Sequence, residues 1–187
     1  MAVSIRVVGI SGSLRKNSYN TSALKAAKEL MPEGMTMEFA DISQLPLYNQ
    51  DVEASGVPEI ILQFREQIRN AHALVIASPE YNYSIPGGLK NAIDWASRPP
   101  KENALNGKTL AIIGASTGML GTARMQYHLR QVAVFTNMFP VNKPEVFITK
   151  ATEKFDKDGK LTDEITRKLI GDLLISLRDW TQRLGIV

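Results

Sequence analysis

Short apolar runs rich in β-branched residues alternate along the chain with longer segments in which apolar side chains recur at helical spacing. The short runs predict five strands, over residues 4–9, 35–41, 73–78, 108–115 and 145–149. The longer segments predict helices over residues 18–31, 59–70, 86–97, 122–138 and 163–183. Strands and helices that alternate in this way are typical of βα units with a parallel sheet covered on both faces.

This pattern predicts the α/β class and a flavodoxin-like three-layer sandwich. We expect a five-stranded parallel sheet in the order 2-1-3-4-5, and a single domain over residues 1–187. A ligand of such a sheet binds at the carboxyl ends of the central strands. The charged segment 153–160 is predicted to be a surface loop or hairpin, and the apolar stretch 132–135 is expected to lie mostly in the core.

Composition narrows the function classes. The chain has no cysteine, so disulfides, thiolate metal sites and cysteine nucleophiles are excluded, and any redox function needs a bound cofactor. The net charge of +3 comes from scattered Lys and Arg without a basic arm, which gives no indication of a nucleic-acid partner. We find neither a signal peptide nor a membrane span, and expect a cytoplasmic protein. His72 and His128 are the only histidines, and no metal site is predicted.

The strongest local signal is the segment 9–20, which is rich in glycine and serine and joins the first strand to the first helix. A loop at this position directs backbone N–H groups and a helix amino terminus at one point, which favours a phosphate. Its side chains can add hydrogen bonds from Ser11, Ser13, Ser18 and Asn20, and a charged fork from Arg15. It matches neither the Walker pattern nor G-x-G-x-x-G. The alternative is a polar turn with an ordinary serine cap.

The second signal is the segment 78–88, which leaves the third strand with two tyrosines, two prolines and two glycines. A stiff loop with exposed backbone groups suits the edge of a flat heteroaromatic ring, although its tyrosines could simply pack on the surface. The segment 114–118 leaves the neighbouring strand. In the expected strand order all three loops converge on one crevice.

Three motifs together carry a family resemblance. They are Gly12-Ser13-Leu14-Arg15 with Ser18 and Asn20, Pro79-Glu80-Tyr81-Asn82, and Leu89-Lys90-Asn91-Ala92-Ile93-Asp94-Trp95. In this order and spacing the chain resembles the NADPH-dependent FMN reductase family over residues 5–147, and is most similar to its soluble quinone and chromate reductase branch.

The resemblance implies tightly held FMN, NADPH or NADH as hydride donor, and assembly as a homodimer or homotetramer. The family's phosphate contacts fall on Ser11, Ser13, Leu14, Arg15, Ser18 and Asn20. Its ring contacts fall on Pro79, Glu80, Tyr81, Asn82 and Tyr83, with further contacts on Ser116, Thr117 and Gly118. No side chain is predicted to act as a catalytic acid, base or nucleophile, and Glu80 is expected to be structural.

The expected reaction is a ping-pong transfer of a hydride from NAD(P)H to N5 of FMN and then of electrons to an acceptor. Small-molecule acceptors are expected, with quinones first and chromate, azo compounds, nitro compounds and free flavin as others. The alternatives are a flavodoxin-type electron carrier and a flavin-binding sensor; carriers are usually strongly acidic, which a charge of +3 does not match. Assembly could use a network of Arg124, Tyr127, His128 and Glu145 between subunits, or these residues could form a solvated face.

Overall fold

The structure is a computed structural model that describes residues 4–187. Its strands are β1 (Ile5–Ser11), β2 (Met35–Ala40), β3 (Ala73–Ala77), β4 (Thr109–Ala115), β5 (Phe139–Pro140) and β6 (Val146–Ile148). Its α-helices are α1 (Tyr19–Glu29), α2 (Gln50–Ser55), α3 (Glu59–Arg69), α4 (Gly87–Ala96), α5 (Ala123–Thr136) and α6 (Glu164–Arg183). Short 3₁₀ turns lie at Pro100–Glu102 and Ala151–Glu153.

The strands form one parallel sheet in the order β2-β1-β3-β4-β5, as the sequence predicts. The edge position is divided between two short strands, because β5 pairs with Thr109 and Leu110 while β6 pairs with residues 113–115 of the same strand β4. The sequence predicts β6 but not β5. A strand of two residues that contains a proline leaves too short an apolar run to recognise.

Alternate residues of the central strands face the two outer layers. On one face, Val75 and its counterparts in β1 and β4 pack against α1 and α6. On the other face, Leu74 and Ile76 pack with residues of α3, α4 and α5. All five residues of β3 are buried, which is why this strand reads as a continuous apolar run. The three-layer sandwich is therefore confirmed.

Two local predictions need correction. Residues 50–55 form the short helix α2 in a segment predicted to be a loop. In α5, Val134 and Phe135 are 81% and 85% exposed, although the stretch 132–135 is expected to be core. The buried apolar positions of this helix are Met125, Leu129 and Ala133, spaced four apart, so the two residues after Ala133 turn away from the sheet.

A helix that spans a bilayer needs about 20 consecutive, mostly apolar residues. Within residues 4–187, no helix is long and apolar enough to span one.

Candidate active site

The loops after β1, β3 and β4 lie side by side at the carboxyl edge of the sheet. The Gly12 N–H donates to the carbonyl of Ala77 at 2.8 Å, and the Ser78 N–H donates to the carbonyl of Ile113 at 3.0 Å. Gly12 approaches the next strand so closely that a Cβ atom there would lie 2.3 Å from Ser78 Oγ. The structure thus brings the three predicted loops together.

The loop after β1 is ordered by its own serines. Ser11 Oγ lies 2.8 Å from Thr21 Oγ1 and accepts from the Ser13 N–H at 3.3 Å. Ser18 is the N-cap of α1, and its hydroxyl accepts from the Asn20 N–H at 3.2 Å. This is the ordinary serine cap that the alternative interpretation of the segment 9–20 predicts. It occupies only Ser18 and leaves the rest of the loop open to a ligand.

Several donors of this loop remain unused. Among residues 4–187 we find no acceptor for the backbone N–H groups of Leu14, Lys16 and Asn17, which precede the amino terminus of α1. Arg15 is exposed, and the one hydrogen-bond acceptor of its guanidinium in the part of the chain that the structure describes is the carbonyl of Asn17, at 3.3 Å. Unpaired N–H groups at a helix amino terminus, next to a guanidinium, fit a phosphate dianion.

Asn20, which is predicted to contact the phosphate, bonds to the backbone at the end of β4. Its Nδ2 donates to the carbonyl of Ala115 at 3.0 Å and its Oδ1 accepts from the Ala115 N–H at 2.8 Å. The side chain is buried. Asn20 therefore joins α1 to the end of β4 and supports the phosphate loop from below, and its contact with the phosphate stays a prediction.

The loop after β3 ends in a two-residue hairpin turn. Tyr81 and Ser84 exchange backbone hydrogen bonds of 3.1 and 2.9 Å. Asn82 and Tyr83 between them have φ values of 49° and 66°. Positive φ at both central positions defines a type I′ turn, and an aromatic residue is strained there. Such strain occurs where surrounding contacts fix a functional loop.

Glu80 supplies those contacts. Its Oε2 accepts from the backbone N–H groups of Arg124 and Met125 at 3.0 and 3.1 Å. Its Oε1 accepts from the Arg124 guanidinium at 3.3 Å. Thr122 is the N-cap residue of α5, but its side chain makes no capping hydrogen bond. Glu80 therefore caps α5 from another loop. The expectation that Glu80 is structural agrees with this geometry.

Arg124 also covers the ring of Tyr83, with its guanidinium carbon 3.8 Å from the ring centroid. His128, one turn further along α5, has its Nδ1 3.0 Å from Ser84 Oγ. The sequence leaves two interpretations for both residues and Glu145, a network between subunits or a solvated face. Within one chain they hold the loop after β3, and Glu145 pairs with Lys143 at 2.9 Å. No sequence signal links a loop carboxylate to a helix forty residues later.

The loop after β4 is tied to the segment that follows β6. Ser116 donates its N–H to the carbonyl of Ile148 at 2.9 Å, and its hydroxyl accepts from the Gly118 N–H at 3.1 Å. Of the three predicted ring contacts in this loop, Ser116 and Gly118 thus use their N–H groups within the chain. Thr117 is exposed and its N–H has no acceptor among residues 4–187.

The remaining predicted contacts lie around the same crevice. Leu14 is exposed and would meet a Cβ on Gly88 at 3.4 Å, so the loop after β1 lies next to the first turn of α4. Pro79 is half-buried, and its carbonyl accepts from Ser78 Oγ at 3.0 Å. Over the described ranges, no cluster of three or more potential metal ligands occurs.

Comparison with known proteins matches this architecture to one family. A model of the family described as NADPH-dependent FMN reductase matches residues 5–153. The chain belongs to this family.

Individual relatives are similar to the chain over nearly their whole length. The chain is 57% identical to the NAD(P)H-dependent FMN reductase of Pseudomonas aeruginosa, covering 98% of this chain and 99% of that one. It is 48% identical to the NAD(P)H:quinone oxidoreductase of Solanum tuberosum, covering 93% and 91%. Among solved structures, the flavoenzyme NAD(P)H:(acceptor) oxidoreductase FerB from Paracoccus denitrificans superposes with a TM-score of 0.88 at 35% identity, covering 96% and 98%.

Family membership makes the chain an oxidoreductase that carries FMN and takes its reducing equivalents from NAD(P)H. The residues present fit this cofactor. Within residues 4–187 the loop after β1 has unpaired N–H groups for a phosphate, and the two neighbouring loops expose Tyr83 and Thr117 beside it.

Proposed function

We propose that the chain is a two-electron quinone reductase that works by a ping-pong mechanism. The observation that supports this best is the apolar rim of the crevice. Tyr83 is 64% exposed and Met119 is 70% exposed, and Tyr81 and Leu120 beside them are also open to solvent. Large apolar side chains gathered on ligand-binding loops favour flat aromatic ligands such as quinones.

The proposed phosphate site consists of the loop after β1. Backbone N–H groups around Leu14 and Lys16 hold the phosphate, and Arg15 adds charge-assisted hydrogen bonds. Ser11, Ser13 and Ser18 maintain the shape of the loop through bonds to its own backbone. Asn20 acts one step further away, through Ala115.

The proposed ring site lies between the other two loops. Within residues 4–187 the N–H groups of Tyr83 and Thr117 have no acceptor. In this proposal they face the region of the ring where negative charge grows on reduction and stabilise that charge by donating hydrogen bonds. Glu80 holds the first of these loops in place, and Ser116 and Gly118 hold the second. Pro79, Tyr81 and Asn82 complete the edge of the site.

When bound, FMN supplies the chemistry, because its N5 accepts a hydride from NAD(P)H and the reduced ring passes two electrons to an acceptor. The chain contributes position and an open face. Donor and acceptor use this face in turn, so they do not have to be bound together. That order of events is the basis of the ping-pong proposal.

Steady-state kinetics with NADPH and a benzoquinone as varied substrates test the mechanism. A ping-pong reductase gives parallel lines in double-reciprocal plots. Intersecting lines would contradict it. A panel of quinone, chromate, an azo dye, a nitroaromatic and free FMN then ranks the acceptors by kcat/KM, and we expect the quinone to come first.

We also propose that the chain assembles as a homodimer or homotetramer through the outer face of α5. Tyr127, Val134 and Phe135 lie on this face at helical spacing and are exposed, which is unusual for neighbouring large apolar residues. Sedimentation velocity tests this. Phe135→Ser is expected to shift the assembly to a smaller species, whereas Ile165→Ser, an equally exposed apolar position on α6, leaves it unchanged. A parent protein that sediments as a monomer would contradict the proposal.

A further inference from the structure

A second cleft, separate from the flavin crevice, adjoins the other side of the phosphate loop. It has a volume of about 270 Å³ and lies between the loop after β1, the first turns of α1 and residues 39–43 at the end of β2. Neither the loop after β3 nor the loop after β4 lines it. The cleft shares the loop after β1, Arg15 included, with the flavin site proposed above, but its walls on α1 and at residues 39–43 take no part in that site.

The walls of the cleft are mainly apolar. Leu14 and Phe39 are both exposed on its surface, and Leu24 and Ile42 lie beneath them. The Phe39 ring rests against Gly9, where a Cβ would lie 3.0 Å from the ring. An aromatic side chain held at a cleft surface in this way provides a contact for a flat heterocycle.

Two cationic side chains lie at the edge of the cleft. Arg15 lines the cleft, and Lys28 Nζ lies 5.1 Å from the centroid of the Phe39 ring. Neither forms an ion pair with a carboxylate within residues 4–187. Unpaired cations beside an apolar wall suit a ligand that joins a flat base to phosphate groups.

A carboxylate closes the far side. Asp41 follows β2 directly, and its two oxygens accept from the N–H and the hydroxyl of Ser43 at 2.8 and 3.0 Å. These bonds fix the carboxylate at the rim of the cleft, where its remaining lone pairs can accept from hydroxyl groups. A carboxylate after the second strand binds ribose hydroxyls in other parallel α/β folds.

The outer wall of the cleft is held by the motif in α4. The carbonyl of Pro46 accepts from Asn91 Nδ2 at 2.9 Å and from Trp95 Nε1 at 2.8 Å. The Tyr48 N–H donates to Asn91 Oδ1 at 2.7 Å. Three hydrogen bonds to one short segment fix the loop that begins with Asp41. Asn91 and Trp95 are thus positioning residues for this wall.

From these features we infer that the cleft binds the adenosine diphosphate portion of the nicotinamide donor. The inference rests on the proposed function, since it presumes that NAD(P)H reduces the flavin at the neighbouring crevice. Strands β2 and β4 are three strand spacings apart, about 14 Å. An extended dinucleotide can span this separation, with its nicotinamide at the flavin and its adenine between Leu14 and Phe39.

Titration calorimetry of the FMN-loaded protein with ADP tests the inference without turnover. We expect ADP to bind the parent protein, and Phe39→Ala and Ser43→Glu to weaken it at least tenfold. The first variant removes the aromatic wall and the second places a negative charge beside the phosphates. Leu62→Ala is the matched control, because Leu62 is as exposed as Phe39 but lies outside the cleft on α3.

Kinetics give a second readout. Both cleft variants are expected to raise KM for NAD(P)H about tenfold without changing KM for the quinone. Unaltered ADP binding in Ser43→Glu, or an increase in KM for the quinone instead, would overturn the inference. If Phe39→Ala does not fold, Ser43→Glu decides alone, because Ser43 is exposed. Failure of quinone reduction would refute the proposed function but would not affect the ADP titration, so the two failures are distinguishable.

Discussion

Glu80 accepts two hydrogen bonds from Arg124, one from its backbone N–H at 3.0 Å and one from its guanidinium at 3.3 Å. The contact joins the loop after β3 to the first turn of α5. Because the same guanidinium covers Tyr83, the strained turn at Asn82 and Tyr83 is held from both ends. The shape of the proposed ring site therefore depends on a carboxylate that does not itself need to contact the flavin.

Replacing Glu80 tests this dependence. Glu80→Ala leaves two N–H groups at the start of α5 without an acceptor, and we expect it to lower the free energy of unfolding by about 2 kcal/mol. FMN affinity is expected to fall as well, since the turn loses its anchor. Glu80→Gln keeps an acceptor oxygen and should recover most of the stability in thermal unfolding. If both variants lost the same amount of stability, the negative charge of Glu80 and not its capping hydrogen bonds would stabilise the start of α5.

Asn20 distinguishes structural support from direct phosphate contact. Asn20→Ala leaves the buried N–H and carbonyl of Ala115 unpaired, which costs about 2–4 kcal/mol of stability. Asn20→Asp is expected to lose more stability than Asn20→Ala, because a carboxylate oxygen then faces the Ala115 carbonyl. Denaturant unfolding of the protein without FMN measures both. Normal stability combined with weak FMN binding would instead place Asn20 in the phosphate site.

The packing at Gly12 predicts a compensating pair. Gly12→Ala brings a Cβ to 2.3 Å from Ser78 Oγ and 2.7 Å from Ser78 Cβ, so we expect a loss of about 2 kcal/mol and weaker FMN binding. Ser78→Gly removes both atoms. The double variant should therefore lose less than the sum of the two single variants. Strict additivity in equilibrium unfolding would refute this contact.

Trp95→Phe tests the attachment of the loop after β2. The substitution keeps a buried ring but removes the Nε1–H that donates to the Pro46 carbonyl. Asn91 still donates to the same carbonyl, so we expect a cost of about 1 kcal/mol. Hydrogen exchange should become faster in residues 41–49 and stay unchanged in residues 79–83. The opposite distribution would contradict the assigned attachment.

His72 predicts a pH dependence of stability. Burial and the nearby charges of Arg6 and Lys108 lower the pKa of His72 below its ordinary value of 6.5. Its Nδ1 accepts from the Arg6 N–H at 3.0 Å, which requires an unprotonated nitrogen. As the pH falls below 6.5, the unfolded chain binds a proton before the folded chain does, so stability decreases until the pH passes the folded pKa.

The comparison with His72→Asn isolates this effect, because the asparagine oxygen can accept the same bond but does not titrate. Thermal unfolding between pH 7.5 and about pH 5 should show the parent losing stability relative to the variant only in the acidic part of the range. A constant difference between the two proteins would contradict the prediction.

Much of the fold could be predicted from the sequence, because buried parallel strands such as β3 are continuous apolar runs. The order of the strands follows from their number and alternation with helices. Because this order makes β1 and β3 neighbours, it also predicts that the loops after these two strands lie side by side. What could not be predicted was which side chains of these loops face a ligand and which face the protein.

The reason is that long-range hydrogen bonds leave no periodic signal. Asn20 lies in a motif associated with phosphate, yet its partner Ala115 is 95 residues away. Arg124 is polar and exposed in part, and nothing around it in the sequence indicates Glu80. The prediction that Phe135 lies in the core was wrong for a different reason. An apolar run in a helix does not show which of its residues turn outward.

In the proposed site, the loops after β1, β3 and β4 together enclose FMN. Hydrogen exchange measured on the protein with and without FMN tests it most directly. We predict that FMN slows exchange in residues 11–20, 79–84 and 116–118, and leaves α6 and the segment 139–143 unchanged. Protection confined to other segments, or to only one of the three loops, would contradict the account.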